Sequence, residues 1–276
     1  MENFAGRVVA ITGAGSGIGR ALAERLAGMG AHLALSDVNA AGLAETVRLA
    51  SKPGITVTSQ TVDVADREAM EAWADQVVAD HGKVNVIVNN AGVAVGATVA
   101  GTTYEDFEWL MGINFWGVVY GTKAFLPHLE ASGEGHIVNV SSVFGLIGVP
   151  SQSAYNSAKF AVRGFTEALR LELDIAGSPV SATSIHPGGI KTNIAKNARM
   201  NDSIADLGQD PVAAKGEFEK LFLTSPKRAA KSIIKAVRKN KRRALIGPDA
   251  YLFTLVGKIP PGLWMPIVVR GAHARR

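Results

Sequence analysis

An alternation of short apolar strands with amphipathic helices runs along most of the chain and limits its fold more than any other feature. The pattern predicts strands near residues 7–12, 32–36, 56–61, 85–89, 136–141, 180–185 and 244–246. It predicts helices near residues 18–29, 40–50, 67–80, 104–131, 152–176 and 226–240. Repeated strand–helix units with apolar strands require a parallel sheet covered by helices on both faces. We therefore expect a doubly wound α/β fold whose ligands bind at the carboxyl ends of the strands.

Length and composition fit one such domain. We assign residues 1–247 to it and residues 248–276 to an apolar and basic extension that packs on the domain or on a partner subunit.

The chain has no cysteine and no HExxH spacing, so we expect no disulfide, thiol nucleophile or metal site. The sequence shows no signal-peptide pattern and no apolar run of the ~18 residues that a membrane span needs. We expect a cytoplasmic protein.

Basic charge is concentrated in the last fifty residues. Residues 227–276 hold 13 Lys and Arg against one Asp, whereas residues 1–226 hold 16 basic against 23 acidic residues. Three prolines, Pro260, Pro261 and Pro266, break the apolar segment near the end, so we do not expect it to span a bilayer. Three alternatives stay open: packing on a subunit or the pocket, contact with a membrane surface, or a mobile tail. Nucleic acid is not expected, because no recognition motif accompanies the charge.

A glycine-rich turn, TGAGSGIG, separates the first strand from the first helix. Residues without side chains let backbone amides approach a phosphate, which the helix N-terminus also attracts. The turn lacks the lysine of a Walker NTPase and the G-x-S-x-G spacing of a serine hydrolase. It predicts a nucleotide site made of Gly13, Gly15, Ser16, Gly17, Ile18 and Gly19.

Asp37 ends the second predicted strand, eighteen residues after Gly19. A carboxylate there accepts hydrogen bonds from both ribose hydroxyls and repels a 2′-phosphate. It favours NAD over NADP, with the adjacent Val38 contacting the same part of the cofactor. Arg20 is the one nearby residue whose positive charge would weaken the preference for NAD over NADP.

Tyr155 and Lys159 are four residues apart in a predicted helix and share one face. Ser142 ends the preceding strand, so its hydroxyl faces the same crevice. A tyrosine that acts as acid and base near neutral pH needs its pKa lowered by about three units, roughly 4 kcal/mol. An ammonium ~5 Å away supplies about 3 kcal/mol at an effective dielectric near 20, and a positively charged nicotinamide ring adds the remainder. Ser142 is expected to hold the substrate oxygen as charge develops on it.

Five motifs occur in order: TGAGSGIG, NNAG at Asn89–Gly92, Ser142 thirteen residues before Tyr155, YNSAK, and Pro187-Gly188. In these motifs the sequence from about Gly6 to Thr192 resembles the short-chain dehydrogenase/reductase family of NAD(P)-dependent oxidoreductases. The resemblance implies a single Rossmann-like sheet with Tyr155 as general acid/base. It implies that Lys159 binds the nicotinamide ribose and lowers the tyrosine pKa, and that Ser142 orients the substrate carbonyl or hydroxyl.

The same resemblance assigns roles to further residues. It gives Asn114 to a proton relay through water and Lys159. It sets the adenine beside Asp63 and Val64, the cofactor groove along Asn90, Ala91 and Gly92, and the carboxamide end near Ile190 and Thr192. Pro187 and Gly188 are also expected to bind the cofactor. The expected assembly is a homo-dimer or homo-tetramer formed through the helices at 104–131 and 152–176.

The predicted reaction is hydride transfer between NAD(H) and a secondary alcohol or ketone. The alternatives are an enzyme that retains NAD for epimerisation or dehydration, and a noncatalytic nucleotide-binding scaffold. A lipophilic substrate is one interpretation of the apolar residues between Pro187 and Ser225; core cover or a subunit interface is the other. Those residues are Ile194, Met200, Ile204, Leu207, Phe218, Leu221, Phe222 and Leu223.

Overall fold

The computed structural model describes residues 1, 3–208, 210, 216 and 222–273. The strands are β1 Val8–Thr12, β2 His32–Asp37, β3 Val57–Thr61, β4 Val86–Asn89, β5 Val95–Gly96, β6 Gly135–Val140, β7 Val180–Pro187, β8 Arg199–Met200 and β9 Arg243–Ile246. The α-helices are α1 Gly17–Ala27, α2 Ala40–Ala50, α3 Arg67–His81, α4 Tyr104–Met111, α5 Gly117–Ala131, α6 Ser153–Ile175, α7 Pro226–Arg238, α8 Pro248–Val256 and α9 Pro261–His273. A π-helical turn, Gly112–Trp116, joins α4 to α5, and 3₁₀ turns occupy Val143–Gly145 and Asp202–Leu207.

Seven strands form one parallel sheet in the order β3-β2-β1-β4-β6-β7-β9. The chain starts in the middle of the sheet, runs to one edge, and then crosses back to continue from β4 to the other edge. This reversal between β1 and β4 leaves a crevice at the carboxyl ends of the strands. The predicted α/β class and all seven predicted strands are confirmed, with ends within two residues of the expected ones.

Side chains of the central strands alternate between two cores, because successive residues of a strand point to opposite faces. On β1, Val9 and Ile11 join the core that contains the buried residues of α1 and α7. Val8 and Ala10 join the core on the other face, with residues of α3, α5 and α6. Both faces of the sheet are therefore covered, which leaves the strand ends to form a site.

Three parts of the fold differ from the predicted pattern. The helix predicted over 104–131 is interrupted by the π-helical turn. The two-residue strands β5 and β8 pair in a separate small sheet, and strands this short leave no periodicity to detect. The segment after Gly247 forms α8 and α9, in which Pro248 and Pro261 stand at the first helical position, where a missing N–H costs nothing.

The two C-terminal helices differ in how they pack. Ala250 of α8 is buried with Val143 and Phe144, and the Phe253 ring meets the Phe144 ring edge-on at 6.3 Å. In α9, by contrast, Trp264 alone among the residues from Pro261 to Gly271 is not exposed. No single helix of the described chain is long and apolar enough to cross a membrane. Pro248–Val256 and Pro261–Gly271 meet the length and composition of a span together, but they are bent by 120°.

Candidate active site

A cleft of about 560 Å³ opens at the carboxyl ends of β1, β2, β4, β6 and β7. The predicted site residues that line it are Gly13, Gly15, Ser16, Gly17, Ile18, Asp37, Val38, Asp63, Val64, Asn90, Ala91, Gly92, Ser142, Tyr155, Lys159, Pro187, Gly188, Ile190 and Thr192. Two predicted residues, Gly19 and Asn114, lie behind the cleft wall rather than on it.

The glycine turn leaves no room for side chains. A Cβ atom at Gly13 would lie 2.8 Å from the Cα of Ala91, and one at Gly15 would lie 2.8 Å from Oδ2 of Asp37. A Cβ atom at Gly19 would overlap the carbonyl oxygen of Gly13, so its lack of a side chain serves the packing of α1 against the turn. Ser16, the N-cap of α1, makes no side-chain cap bond, so the first N–H groups of this helix are available to an anion in the cleft.

The turn is also bonded to the segment after β4. The Thr12 hydroxyl oxygen accepts from the backbone N–H groups of Asn90 at 3.0 Å and Ala91 at 3.1 Å. The Asn90 side chain donates to the carbonyl oxygens of Thr12 and Gly13. These bonds fix the distance between the two walls of the crevice.

Asp37 stands at the end of β2 and faces the glycine turn. Its Oδ2 accepts from Gly15 N at 2.8 Å, and its Oδ1 accepts from Asn39 N at 2.8 Å. Each carboxylate oxygen keeps a further lone pair for a ligand. The carboxylate is thus held in place before any ligand binds.

Arg20 is engaged within the protein. Its Nε donates to the Thr46 hydroxyl at 2.9 Å, and its Nη2 donates to the carbonyl oxygens of Gly42 and Gly15. The guanidinium therefore joins the glycine turn to α2.

Ser142, Tyr155 and Lys159 converge on the opposite end of the cleft. The Lys159 ammonium is buried, donates to Val140 O at 3.0 Å, and lies 5.5 Å from the centre of the Tyr155 ring. Ser142 hydrogen-bonds with Tyr155 and also accepts from Phe144 N at 3.1 Å.

The acidity of this pair differs from the prediction. Burial raises the pKa of Tyr155 to about 12, and the hydrogen bond from Ser142 opposes that rise only in part. Burial lowers the pKa of Lys159 to about 8. In this geometry desolvation of the phenolate dominates, so the pKa of Tyr155 is raised where a fall was predicted.

Asn114 lies in the π-helical turn and is fully buried. Its Oδ1 accepts from Val93 N at 2.8 Å, and its Nδ2 donates to Val93 O at 2.9 Å. A Cβ atom at Gly92 would lie 3.3 Å from this Oδ1 and 3.7 Å from the Lys159 Nζ. The amide and the ammonium therefore flank the same glycine.

His186 is a site residue that the sequence analysis missed. Its Nδ1 is 2.9 Å from the carbonyl oxygen of Ser142, and its Nε2 is 2.9 Å from the Ser184 hydroxyl. Burial lowers the pKa of His186 to about 4, so the ring is neutral at pH 7. Its position directly before the Pro187-Gly188 motif was the signal in the sequence that placed it near the site.

Further residues that line the cleft were not predicted, among them Gln152, Asn193, Asp249 and Phe253. Asp249 Oδ2 accepts from Gly189 N at 2.6 Å. The parallel orientation of β9 was a signal for Asp249, because the carboxyl end of that strand reaches the same sheet edge. In the part of the chain that the structure describes, no three His, Asp or Glu residues come together to hold a metal ion.

The apolar residues proposed for a substrate loop divide into three groups. Ile194, Phe222 and Leu223 line the cleft. Met200, Ile204 and Leu207 do not, and Ile204 is buried elsewhere. Phe218 and Leu221 lie outside the described residues.

The sheet order and this cleft define a nucleotide-binding oxidoreductase fold, and residues 7–203 match the family described as short chain dehydrogenase. The chain belongs to the short-chain dehydrogenase/reductase family, as its motifs predicted.

Particular relatives agree with this assignment. "Putative oxidoreductase SadH" of Mycobacterium tuberculosis is 52% identical over 272 residues, which cover 98% of this chain and 97% of the relative. A Burkholderia phymatum short chain dehydrogenase/reductase in complex with NAD is 31% identical, with a TM-score of 0.83 and coverage of 92% and 93%. A Mycobacterium paratuberculosis short chain dehydrogenase bound to NAD is 29% identical, with a TM-score of 0.74 and coverage of 88% and 96%.

Proposed function

We propose that this protein is an NAD-dependent oxidoreductase that transfers a hydride between the cofactor and a secondary alcohol or ketone. The observation that carries the proposal is the convergence of Ser142, Tyr155 and Lys159 on one end of a cleft whose other end is the glycine turn. NAD supplies the hydride acceptor and a positively charged ring. The protein supplies binding, orientation and proton transfer.

The glycine turn and the uncapped start of α1 suit the diphosphate of a dinucleotide, since both offer backbone N–H groups without side chains in the way. Two similar solved structures are complexes with NAD, which supports a nicotinamide cofactor. The proposed contacts extend along the cleft, with Asp63 and Val64 at the adenine, Asn90 to Gly92 along the groove, and Ile190 and Thr192 at the carboxamide. Pro187 and Gly188 are proposed to bind the cofactor as well.

Preference for NAD over NADP rests on Asp37 and Arg20. The Asp37 carboxylate is fixed by Gly15 N and Asn39 N at a place where it can bind ribose hydroxyls and repel a phosphate. Arg20 donates hydrogen bonds to protein groups of the turn and α2, so its charge is not directed at a 2′-phosphate.

In this proposal Tyr155 gives or takes the proton of the substrate oxygen, and Ser142 bonds that oxygen as charge develops on it. Lys159 binds cofactor ribose hydroxyls and favours the phenolate by its charge. Because its ammonium is bonded to Val140 O here, that role requires a change of partner. Asn114, on the other side of Gly92, is proposed to relay protons to Lys159 through water.

The substrate side favours a lipophilic molecule. Phe144, Phe253, Ile194 and Leu223 line it, with Gln152 as a polar group among them. Since Phe253 belongs to α8, the segment 248–276 is proposed as an extension that completes the substrate site of the domain formed by residues 1–247. Exposed Trp116 on the π-helical turn is consistent with the proposed homo-oligomer.

The direct test is NADH formation across a panel of secondary alcohols, offered with NAD and with NADP. We expect Tyr155→Phe to lower kcat/KM by about a hundredfold to ten-thousandfold. Binding of NAD should persist in this variant, since only the phenol oxygen is removed. Tyr104→Phe, at an exposed tyrosine, is the matched control and should leave kcat/KM unchanged.

The alternatives give different results in the same assay. An epimerase or dehydratase that retains NAD would convert its substrate with no net NADH. A noncatalytic scaffold would bind the nucleotide without any turnover. Either result would remove the dehydrogenase assignment.

A further inference from the structure

The helices α8 and α9 carry an apolar surface that the rest of the described chain leaves exposed. Its large side chains are each at least 40% exposed: Tyr251, Leu252, Leu255, Ile259, Leu263, Met265, Ile267, Val268 and Val269. We call this surface the C-terminal apolar face. Monomeric soluble proteins rarely expose contiguous apolar patches of this kind, and such patches mark protein or membrane contacts.

Apart from Arg270 and His273, the residues of α9 are apolar on all sides of the helix. Leu263, Ile267, Val268 and Val269 are exposed although they point in different directions around the helix axis. A helix that is apolar on every side is buried either in a protein core or in a membrane. Since almost all of α9 is exposed, the described residues of this chain do not supply its cover.

The size of the two helices fits one leaflet of a bilayer. The 13 residues of α9 give a helix of about 20 Å, shorter than the ~30 Å hydrocarbon core. The two helices have the length and composition of a membrane span only when taken together. The 120° bend between them turns the second helix back toward the side from which the first one starts. A short bent pair can enter one side of a bilayer without crossing it.

Charge favours lipid over a second copy of this chain. From residue 250 to the end the sequence has four basic residues and no acidic one, with Lys258 and Arg270 in the described part. In a two-fold symmetric dimer the same surface meets itself, so these cations would find no carboxylate from the opposing segment. Anionic lipid headgroups supply the negative charge that the segment lacks.

We propose that α8 and α9 insert the C-terminal apolar face into one leaflet of a bilayer that contains anionic lipid. The inner side of α8 lines the cleft through Phe253, so the substrate side of the cleft adjoins this surface. The inference concerns docking and does not depend on the proposed reaction.

Flotation of the full-length protein with phosphatidylcholine vesicles, with or without phosphatidylglycerol, tests the proposal. We expect binding that is stronger with phosphatidylglycerol and weaker at high salt. Leu263→Ser combined with Ile267→Ser should reduce binding at least about tenfold, because two inserted side chains are lost. Both residues are exposed, at 64% and 67%, so folding should be unaffected. The matched control is Val99→Ser with Tyr104→Ser, at residues 78% and 85% exposed.

Insertion can be measured directly because the chain has no cysteine. An environment-sensitive fluorophore on Ile267→Cys should brighten and shift to shorter wavelength with anionic vesicles, whereas the same label on Val99→Cys should not respond. Three results would each overturn the proposal: no vesicle binding by the wild type, a silent label at position 267, or a serine variant that lowers the oligomeric mass without vesicles while leaving vesicle binding intact. The last result would assign the face to a second copy of this chain.

Discussion

The imidazole of His186 is hydrogen-bonded through Nδ1 to the backbone carbonyl of Ser142, at 2.9 Å, across the neighbouring strands β6 and β7. The ring is buried and neutral, and Ser184 occupies its second nitrogen. The main chain that presents the Ser142 hydroxyl is therefore held from behind by an uncharged group. Protonation of that ring would disturb its hydrogen bonds to Ser142 and Ser184. The stability of the protein at acid pH therefore tests this description.

We expect the free energy of unfolding to fall as the pH falls from about 6.5 to about 4. Burial lowers the pKa of His186 to about 4 and that of buried His136 to about 3, from 6.5 in the unfolded chain. In this window the unfolded chain binds more protons, so acid destabilises the fold by roughly 3 kcal/mol for each histidine. Urea denaturation at several pH values measures the slope.

His186→Asn should remove about half of that pH dependence. The matched control is His128→Asn, at a less buried histidine that pairs with Asp75 on the surface. An unchanged slope in His186→Asn would show that His186 is not the buried neutral group described here.

The stability of the ligand-free protein should rise between pH 8 and pH 10. Burial lowers the pKa of Lys159 to about 8 from 10.5, so in this window the unfolded chain binds more protons than the folded one. The gain is about 2 kcal/mol. Tyr155, with its pKa raised to about 12, acts with the opposite sign only above pH 10.

Lys159→Met should flatten this rise in chemical denaturation, whereas Lys123→Met, at an exposed lysine of α5, should not. A rise that persists in Lys159→Met would place its origin in another group.

Asp37→Asn should reduce the preference for NAD over NADP. The substitution keeps the shape of the side chain but removes the charge that we propose repels a 2′-phosphate and strengthens the hydrogen bonds from the ribose hydroxyls. Hydrogen bonds to charged groups are worth about 1.5–3 kcal/mol, so the ratio of kcat/KM values should fall about tenfold to a hundredfold. Asp63→Asn, at the other acidic side chain on this side of the cleft, should affect both coenzymes alike. Equal use of the two coenzymes by the wild type would contradict the assignment.

Gly188→Ala should displace the start of α8. The added Cβ would meet the carboxylate of Asp249, which is held by Gly189 N. Overpacking of this kind costs about 1–3 kcal/mol, and kcat/KM should fall with it because α8 lines the cleft. Thermal unfolding and turnover measure both effects. Gly148→Ala, where a Cβ would meet no atom within 4 Å, is the control. Full stability in Gly188→Ala would mean that this contact relaxes without cost.

Local pattern was sufficient to predict the sheet. Strands such as β1 and β7 are apolar runs between turn residues, and the helix over 40–50 was predicted with its observed ends. The cleft followed from parallel order alone, since residues after each strand meet at one edge. This is why residues as far apart as Gly13 and Ser142 were expected together, and both line the same cleft. Pro187, which also lines it, was expected there only from the family resemblance.

What escaped prediction depends on contacts between distant parts of the chain. The packing of α6 against β6 decides whether the Lys159 ammonium faces Tyr155 or Val140. The spacing of residues within α6 carries no information about that packing. His186 gained its importance from Ser142, forty-four residues away. The helices α8 and α9 were not predicted, because the sequence alone does not distinguish a proline at the first position of a helix from one that breaks a helix.

The π-helical turn at Gly112–Trp116 limits which changes of sequence this protein tolerates. A π turn accommodates one more residue than a regular helix would, and Asn114 reaches both polar groups of Val93 from that widened turn. Removing one residue there would restore regular winding and shift the residues of the turn, Asn114 among them, by about 100° around the helix axis. Substitutions in this stretch keep the number of residues and so keep the turn. Deletion of one residue would straighten the helix and misalign Asn114 with the loop that it holds.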